Sequence, residues 1–345
     1  MKSVCNVAID YTQTRHRVTG RRQHTSILTF MIIAGSTKYI SAAFASEQEL
    51  ELIVQANAEY IFGPDSLYLP KSLIKTSDGF GTIPDGFVID LASKTWFIVE
   101  AELGIHSVWN HIAPQIAKQI IAASQPASRR MLTEMVISRV KENASFRDRF
   151  DELGVSEIDI RRVVSEIFEG KPIVGIPIDH VGTDLREWAQ TLKCEVKLWV
   201  IRKMVEFGNP SNIIYEIPEE YRPTLDTSPE LIITPSGYTY YDVTIADLLS
   251  AGLLKPGQTL YMTYGPRGVE RRRFEAVVLE EGSMEVLGRS FSAPSYAALL
   301  CIQDAGSSRN TVNGWISWKT DDGRTLADLR EALLQTPSPI DNNGA

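Results

Sequence analysis

The sequence is poor in cysteine, and it lacks any apolar run long enough to cross a membrane. Its three cysteines, Cys5, Cys194 and Cys301, are widely spaced and odd in number, so they form no disulfide framework. No Cys-x-x-Cys pair or Cys/His cluster indicates a zinc site. This usage favours a reducing compartment, and we predict a cytoplasmic protein. The apolar run 27–34 follows basic residues, but it is short and contains Thr29, which argues against a signal peptide.

Positive charge is also in deficit, and no internal repeat is apparent. The formal net charge of -8 argues against a protein that coats nucleic acid without sequence preference. It leaves room for a protein that binds DNA in a local cleft. A hydrophobic content of 43% and a length of 345 residues predict an ordinary globular protein with two domains.

What is present centres on the stretch Gly81–Gly104. Two apolar segments, 88–91 and 95–99, are rich in β-branched and aromatic residues and are separated by a three-residue turn. This pattern predicts a β-hairpin. Because side chains alternate along a strand, Glu100 and Glu102 share a face.

Asp85 is predicted to lie on the first strand of this hairpin, and the short turn places it opposite Glu100 or Glu102. Facing residues of an antiparallel pair have Cβ atoms about 4.5–5.5 Å apart. Three carboxylates at that spacing repel one another unless a cation lies between them. Oxygen ligands suit Mg²⁺, so a magnesium site is one interpretation. Solvated carboxylates at strand ends are the other.

Pro84-Asp85, the hairpin and Glu100-Ala101-Glu102 together resemble the motif of the PD-(D/E)xK nuclease superfamily, over roughly residues 45–210. The resemblance implies that Asp85 and Glu100 bind Mg²⁺, for which Mn²⁺ can substitute. Glu102 stands where a lysine is usual, although some restriction enzymes of the superfamily carry Glu-x-Glu. This departure leaves the general base open, and Glu102 either binds metal or orients the attacking water.

Two flanking helices offer further candidates for the nuclease site. The first, predicted over 46–61, carries Glu51, and the resemblance implies that a glutamate of this helix reaches the metal; Glu47 is the rival. The second, predicted over 106–123, carries Lys118, which would supply the positive charge that Glu102 does not. An exposed helical surface is the plain alternative for each. His106 and His111, five apart, are poorly spaced as ligands on one helical face, so we interpret them as ordinary polar residues or phosphate contacts.

The rest of the chain predicts a four-part organisation. Residues 1–30 are predicted to be a basic arm. This arm is either disordered or an artefact of the chosen start site, with Met31 as the true first residue. Residues 31–215 alternate helices and strands, which predicts an α/β domain with a restriction-endonuclease-like mixed sheet flanked by helices. The proline- and acid-rich stretch 216–232 predicts a linker. Residues 233–337 predict a small α+β domain.

Three segments of this last domain, 248–254, 292–298 and 313–318, resemble the RAMA domain, whose name refers to restriction enzymes and adenine methylases. The resemblance implies DNA binding, including recognition of a modified base. Arginine suits phosphate and guanine, so the basic cluster is a candidate surface, with an exposed turn as the alternative. The candidate DNA-binding residues are Arg267, Arg271, Arg272, Arg273, Asn313 and Trp315. Ser295 and Arg309 are further polar candidates, and a core position is the favoured alternative for Trp315.

The predicted function is a Mg²⁺-dependent DNA endonuclease for restriction or modification-dependent defence. Its predicted partner is double-stranded DNA, modified or not, with no membrane partner. Cutting both strands needs two active sites, so a homodimer is expected in that case. Two alternatives stay open: a non-catalytic DNA-binding protein with a degenerate nuclease fold, and a repair nuclease that recognises DNA structure.

Overall fold

The computed structural model describes residues 31–218, 221–228 and 238–336. The predicted arm, 1–30, lies outside these residues, and so do parts of the predicted linker. Within the described part of the chain, no helix is both long and apolar enough to span a membrane.

Strands and helices alternate through the first domain. In chain order they are β1 (Met31–Ala34), β2 (Thr37–Ala42), α1 (Glu47–Ala56), α2 (Ala58–Phe62), β3 (Ser66–Pro70), β4 (Ile74–Lys75), β5 (Gly81–Thr82), β6 (Gly86–Asp90), β7 (Thr95–Val99), α3 (Ala113–Ala123), α4 (Pro126–Glu142), α5 (Ala144–Glu152), α6 (Ile160–Glu169), β8 (Ile173–Ile178), α7 (Thr183–Thr191), β9 (Val196–Val200), β10 (Arg202–Glu206), β11 (Asn209–Glu216) and β12 (Leu225–Asp226). A π-helical turn, Val108–Ile112, precedes α3.

A six-stranded mixed sheet forms the centre of this domain. Its strand order is β12-β9-β8-β7-β6-β3; β7, β8 and β9 are parallel, and the other pairs are antiparallel. All six residues of β8 are buried, as expected for a parallel strand that is covered on both faces. β6 and β7 form the predicted hairpin, whose turn contains Lys94 with a φ of 55°.

Helices cover both faces of the central sheet. On one face, Phe62 of α2 packs against Phe97 of β7, with ring centroids 5.4 Å apart. On the other face, Trp96 of β7 packs edge-on against Phe168 of α6 at 5.2 Å. The alternation of Trp96 and Phe97 therefore buries both sides of β7, which agrees with the predicted mixed α/β class.

Several predicted helices and strands are broken in the structure. The helix predicted over 46–61 is interrupted at Asn57, whose side-chain amide donates to Ile53 O at 2.8 Å and competes with the helical backbone bonds. Residues 128–170 have a charged, helical pattern in the sequence and form three helices, α4, α5 and α6, separated near Asn143 and Gly154. The helix predicted to begin at His106 begins at Val108 with the π-helical turn.

The alternating pattern over 194–204 is typical of one strand, but the structure has two strands there, in two different sheets. β9 ends in the central sheet, where Ile201 still donates to Ile178 O. β10 then pairs with β2 and β11 in a separate antiparallel sheet of order β1-β2-β10-β11. Part of the predicted linker, β12, pairs with β9 as an edge strand of the central sheet.

The C-terminal domain packs helices on a small antiparallel sheet. Its elements are α8 (Ile245–Ser250), β13 (Thr259–Tyr264), β14 (Arg272–Val278), β15 (Met284–Val286), β16 (Arg289–Phe291), α9 (Pro294–Asp304), α10 (Gly314–Ser317) and α11 (Leu326–Gln335). The sheet order is β13-β14-β15-β16. Leu248, Leu260, Phe274, Ala298 and Leu329 join the helices to the sheet in one core.

The segment 313–318 contains the short helix α10, which sets the relative positions of Trp315 and Trp318. The Asn313 side chain accepts from Trp315 N at 3.1 Å and caps α10. Helical spacing places Trp315 and Trp318 on the same side, and both are buried.

Candidate metal centre

The β6–β7 hairpin brings Asp85, Glu100 and Glu102 to one cleft of about 420 Å³. Gly86 pairs with Val99, so Asp85 and Glu100 follow as neighbours at the ends of their strands. Glu100 N donates to Gly175 O and Glu102 N donates to Pro177 O, both at 3.0 Å, which continues the strand geometry beyond β7. The two glutamates therefore keep the shared face that alternation predicts, and Ala101 N donates to Asp85 Oδ2 at 2.9 Å.

Glu100 is held by two amides from α3. Gln119 Nε2 donates to Glu100 Oε2 at 2.7 Å, and Gln115 Nε2 donates to Glu100 Oε1. Burial and the nearby charge of Asp85 raise the pKa of Glu100 to about 8. A bound cation would offset both the cost of burying the ionised Glu100 and its repulsion from Asp85.

A lysine that the sequence analysis did not single out completes this part of the cleft. Lys71, directly after β3, places Nζ 2.8 Å from Asp85 Oδ1 and 2.7 Å from Glu51 Oε2. Burial lowers the pKa of Lys71, but the bonds to Asp85 and Glu51 outweigh it, so the pKa lies above its ordinary value. Lys71 is therefore a stable cation at the site.

The register of β3 and β6 is the signal that could have found Lys71. Pro70 pairs with Gly86, so the next residues along each strand, Lys71 and Asp85, are also neighbours. This pairing is non-local, and a motif confined to residues 84–102 does not contain it.

A second group of ligands surrounds Glu102. His106 Nδ1 lies 3.2 Å from Glu102 Oε2 and 2.5 Å from Glu47 Oε1, and His111 Nε2 lies 3.7 Å from Glu102 Oε1. The ligand atoms of Glu47, Glu102, His106 and His111 all lie within 4.8 Å of one another, so the four side chains could hold a metal ion. Burial and a hydrogen bond with Glu47 raise the pKa of Glu102 to about 8.

The sequence analysis set His106 and His111 aside for a reason that the structure removes. His106 precedes the π-helical turn and His111 lies within it, so they do not share a regular helix. Their rings are 4.9 Å apart. Of the other sequence candidates, Glu51 and Glu47 line the cleft, whereas Lys118 is exposed on α3 and does not.

The candidate DNA-binding residues are dispersed over the C-terminal domain. Arg267 lies 3.4 Å from Asp151, and Arg272 lies 2.9 Å from Asp304. Arg273 stacks on the ring of Tyr261 at 3.9 Å. With Arg271, it lines a cleft of about 540 Å³ that also contains residues of the first domain.

Asn313 and Trp315 have structural contacts. Asn313 caps α10, although it also lines this second cleft. Trp315 is only 5% exposed and carries the Arg330 guanidinium 4.4 Å from its ring, in keeping with the core alternative. Ser295 Oγ accepts from Gly314 N at 3.1 Å, which ties α9 to α10.

Arg309 joins the two domains. Its guanidinium bonds Glu152 Oε2 at 2.6 Å, Asp65 Oδ1 at 2.8 Å and Pro64 O at 2.9 Å. Tyr264 adds a hydrogen bond to Glu152 Oε1 at 3.1 Å. Arg309 is a sequence candidate for a polar contact with DNA, and in the structure its guanidinium contacts the first domain instead.

Comparison with known families identifies the C-terminal domain. Residues 232–338 match the family model RAMA, Restriction Enzyme Adenine Methylase Associated, which confirms the RAMA domain. This match associates the chain with restriction–modification systems. No curated protein matches the chain. The likeness of the first domain to the PD-(D/E)xK superfamily stays a prediction.

Proposed function

We propose that the chain is a divalent-metal-dependent DNA endonuclease, directed to its targets by the RAMA domain. The observation that carries the proposal is the convergence of Asp85, Glu100 and Lys71 in one cleft, with Glu51 behind them. Two carboxylates and a cation in a polar cleft suit hydrolysis of a phosphodiester.

Asp85 and Glu100 fit a hard divalent ion such as Mg²⁺ or Mn²⁺, because both offer carboxylate oxygens and Glu100 is buried. Such an ion, when bound, lowers the pKa of water and offsets charge on the phosphate. Gln115 and Gln119 orient Glu100, and Ala101 N orients Asp85.

The remaining residues of the cleft have separable roles in this scheme. Lys71 keeps its proton, so it supports the negative charge that develops on the phosphate rather than removing a proton from water. Glu51 holds Lys71 in place. Hydrolysis adds hydroxide to phosphorus and breaks one P–O ester bond, and the leaving oxygen takes a proton from solvent.

The test is cleavage of unmodified, methylated and hydroxymethylated plasmid with Mg²⁺ or Mn²⁺. Asp85→Asn and Glu100→Gln should abolish cutting, whereas Glu169→Gln, an exposed glutamate at the end of α6, should not. Dependence of cutting on modification would define what the RAMA domain recognises. Cutting at the wild-type rate by Asp85→Asn or Glu100→Gln would refute the proposal.

Other outcomes distinguish the alternative functions. DNA binding without cutting on any substrate would favour a non-catalytic DNA-binding protein, which the RAMA match also accommodates. Preference for branched over linear DNA would favour a repair nuclease.

A further inference from the structure

We propose that Glu47, Glu102, His106 and His111 form a second metal site, specific for a transition metal ion and separate from the Asp85–Glu100 position. The four ligand atoms come from different parts of the fold. Glu47 opens α1, Glu102 follows β7, His106 lies in the next turn and His111 in the π-helical turn. Glu47 of α1 therefore meets three ligands of the segment 102–111 around one point.

The chemistry of the donors selects the class of ion. Two imidazole nitrogens and two carboxylate oxygens suit Zn²⁺ or Co²⁺, whereas Mg²⁺ prefers oxygen ligands alone. Two ionised carboxylates also balance the charge of one divalent ion. The Asp85–Glu100 position offers carboxylates without imidazole, so the two positions differ in the ion they favour.

The contacts within the cluster suit a cation. Glu47 Oε1 is shielded from solvent and lies 2.5 Å from His106 Nδ1, which in turn lies 3.2 Å from Glu102 Oε2, so one imidazole nitrogen faces both carboxylates. The Glu102 side chain is only 2% exposed and has no lysine or arginine as a salt-bridge partner within the described residues. An ion among these atoms would satisfy both carboxylates.

The surrounding backbone fixes the ligands in place. Glu102 forms a bridge with Ile178 of β8, which ties it to the central sheet. In the turn that leads to His106, Gly104 N donates to Asp179 Oδ1 at 2.7 Å. A Cβ on Gly104 would lie 2.5 Å from His180 O, so this close approach requires glycine. These two contacts fix the turn that places His106 next to Glu102.

One consequence rests on the proposed nuclease function. Glu102 stands where the resembled superfamily usually has a lysine. An ion bound by Glu102 would place positive charge in that part of the cleft, beside the cation Lys71. Glu102 would then bind a metal ion whose positive charge replaces the charge of the usual lysine. This would explain physically why the chain departs from the motif.

The site is tested by titrating untagged, metal-free, full-length protein with Co²⁺ and recording its visible absorption. We expect one absorbing Co²⁺ per chain, displaced by Zn²⁺ and retained in excess Mg²⁺. His106→Gln and His111→Gln should each weaken binding by more than about tenfold, since even outer-shell partners of metal ligands typically contribute that much. Thermal unfolding of each variant checks that it folds.

Matched variants separate this site from its neighbour. Glu169→Gln, at an exposed glutamate outside the cluster, and Asp85→Asn should both keep the Co²⁺ absorption. Absence of the absorption in wild type, its persistence in both histidine variants, or its loss in Asp85→Asn would each overturn the proposal. Co²⁺ binding as expected in a protein that cuts no DNA would uphold this site and refute the nuclease.

Discussion

At the scale of single residues, two lysines differ in whether they contact Asp85. The motif lacks its usual lysine, and Lys71 and Lys118 are the two candidates to supply that positive charge. Only Lys71 reaches Asp85, and it does so through the pairing of β3 with β6. Lys118 is exposed on α3 and does not line the cleft.

Substituting these two lysines tests that assignment. Lys71→Met should lower the rate of DNA cleavage by about 10²-fold or more, the typical loss when one electrostatic contact to a transition state is removed. Lys118→Met, the matched control, should cut like wild type. Single-turnover rates with saturating Mg²⁺ measure both. Equal rates for the two variants would remove Lys71 from the mechanism.

The raised pKa values of Glu100 and Glu102 predict how stability depends on pH. Burial favours their protonated forms, so the metal-free folded state binds more protons than the unfolded state between about pH 4.5 and 8. Stability from this source is complete below pH 4.5 and is lost as pH rises through 8.

In chelator, the melting temperature should therefore fall from pH 6 to pH 8 in wild type, and Glu102→Gln should reduce that fall. Divalent ions should reverse it at pH 8, because they bind the ionised carboxylates. The exposed Glu169→Gln should follow wild type. A melting temperature independent of pH in chelator would show that neither glutamate carries a raised pKa.

At the scale of elements, the sequence predicts best what local periodicity determines. The β6–β7 hairpin and the shared face of Glu100 and Glu102 follow from alternation alone. The interruptions of helices and strands do not follow from local pattern. Asn57 ends a good helical pattern through its own side chain, and β9 and β10 are separate strands because they pair in different sheets. Lys71 and the His106–His111 pair required knowledge of these non-local contacts.

The junction of α9 and α10 is a close backbone contact that local pattern misses. A Cβ on Gly314 would lie 2.2 Å from the carbonyl carbon of Pro294, so Gly314→Ala should force the two helices apart. We expect a loss of about 1–3 kcal/mol in the free energy of unfolding, as in overpacked cores. Urea unfolding followed by tryptophan fluorescence measures it, since Trp315 and Trp318 lie in this core. Unchanged stability would mean that the contact relaxes freely.

At the scale of the whole molecule, charged and polar side chains join the two domains. Arg309 bonds Asp65 and Glu152, Thr311 bonds Glu59 at 3.1 Å, and Tyr264 bonds Glu152. Asp65 immediately precedes β3, the strand that presents Lys71. This interface therefore lies one strand away from the proposed catalytic cation.

Removing the Arg309 charge tests whether this contact holds the domains together and links recognition to cutting. In Arg309→Met, Asp65 and Glu152 lose a buried partner, which should cost about 3–5 kcal/mol of docking free energy. X-ray scattering should then show a larger radius of gyration, and cleavage should lose its preference for modified over unmodified DNA while basal cutting persists. Arg324→Met, at an exposed arginine paired with Asp322, should change neither. A compact Arg309→Met protein with unaltered preference would show that the domains neither dock nor communicate through this residue.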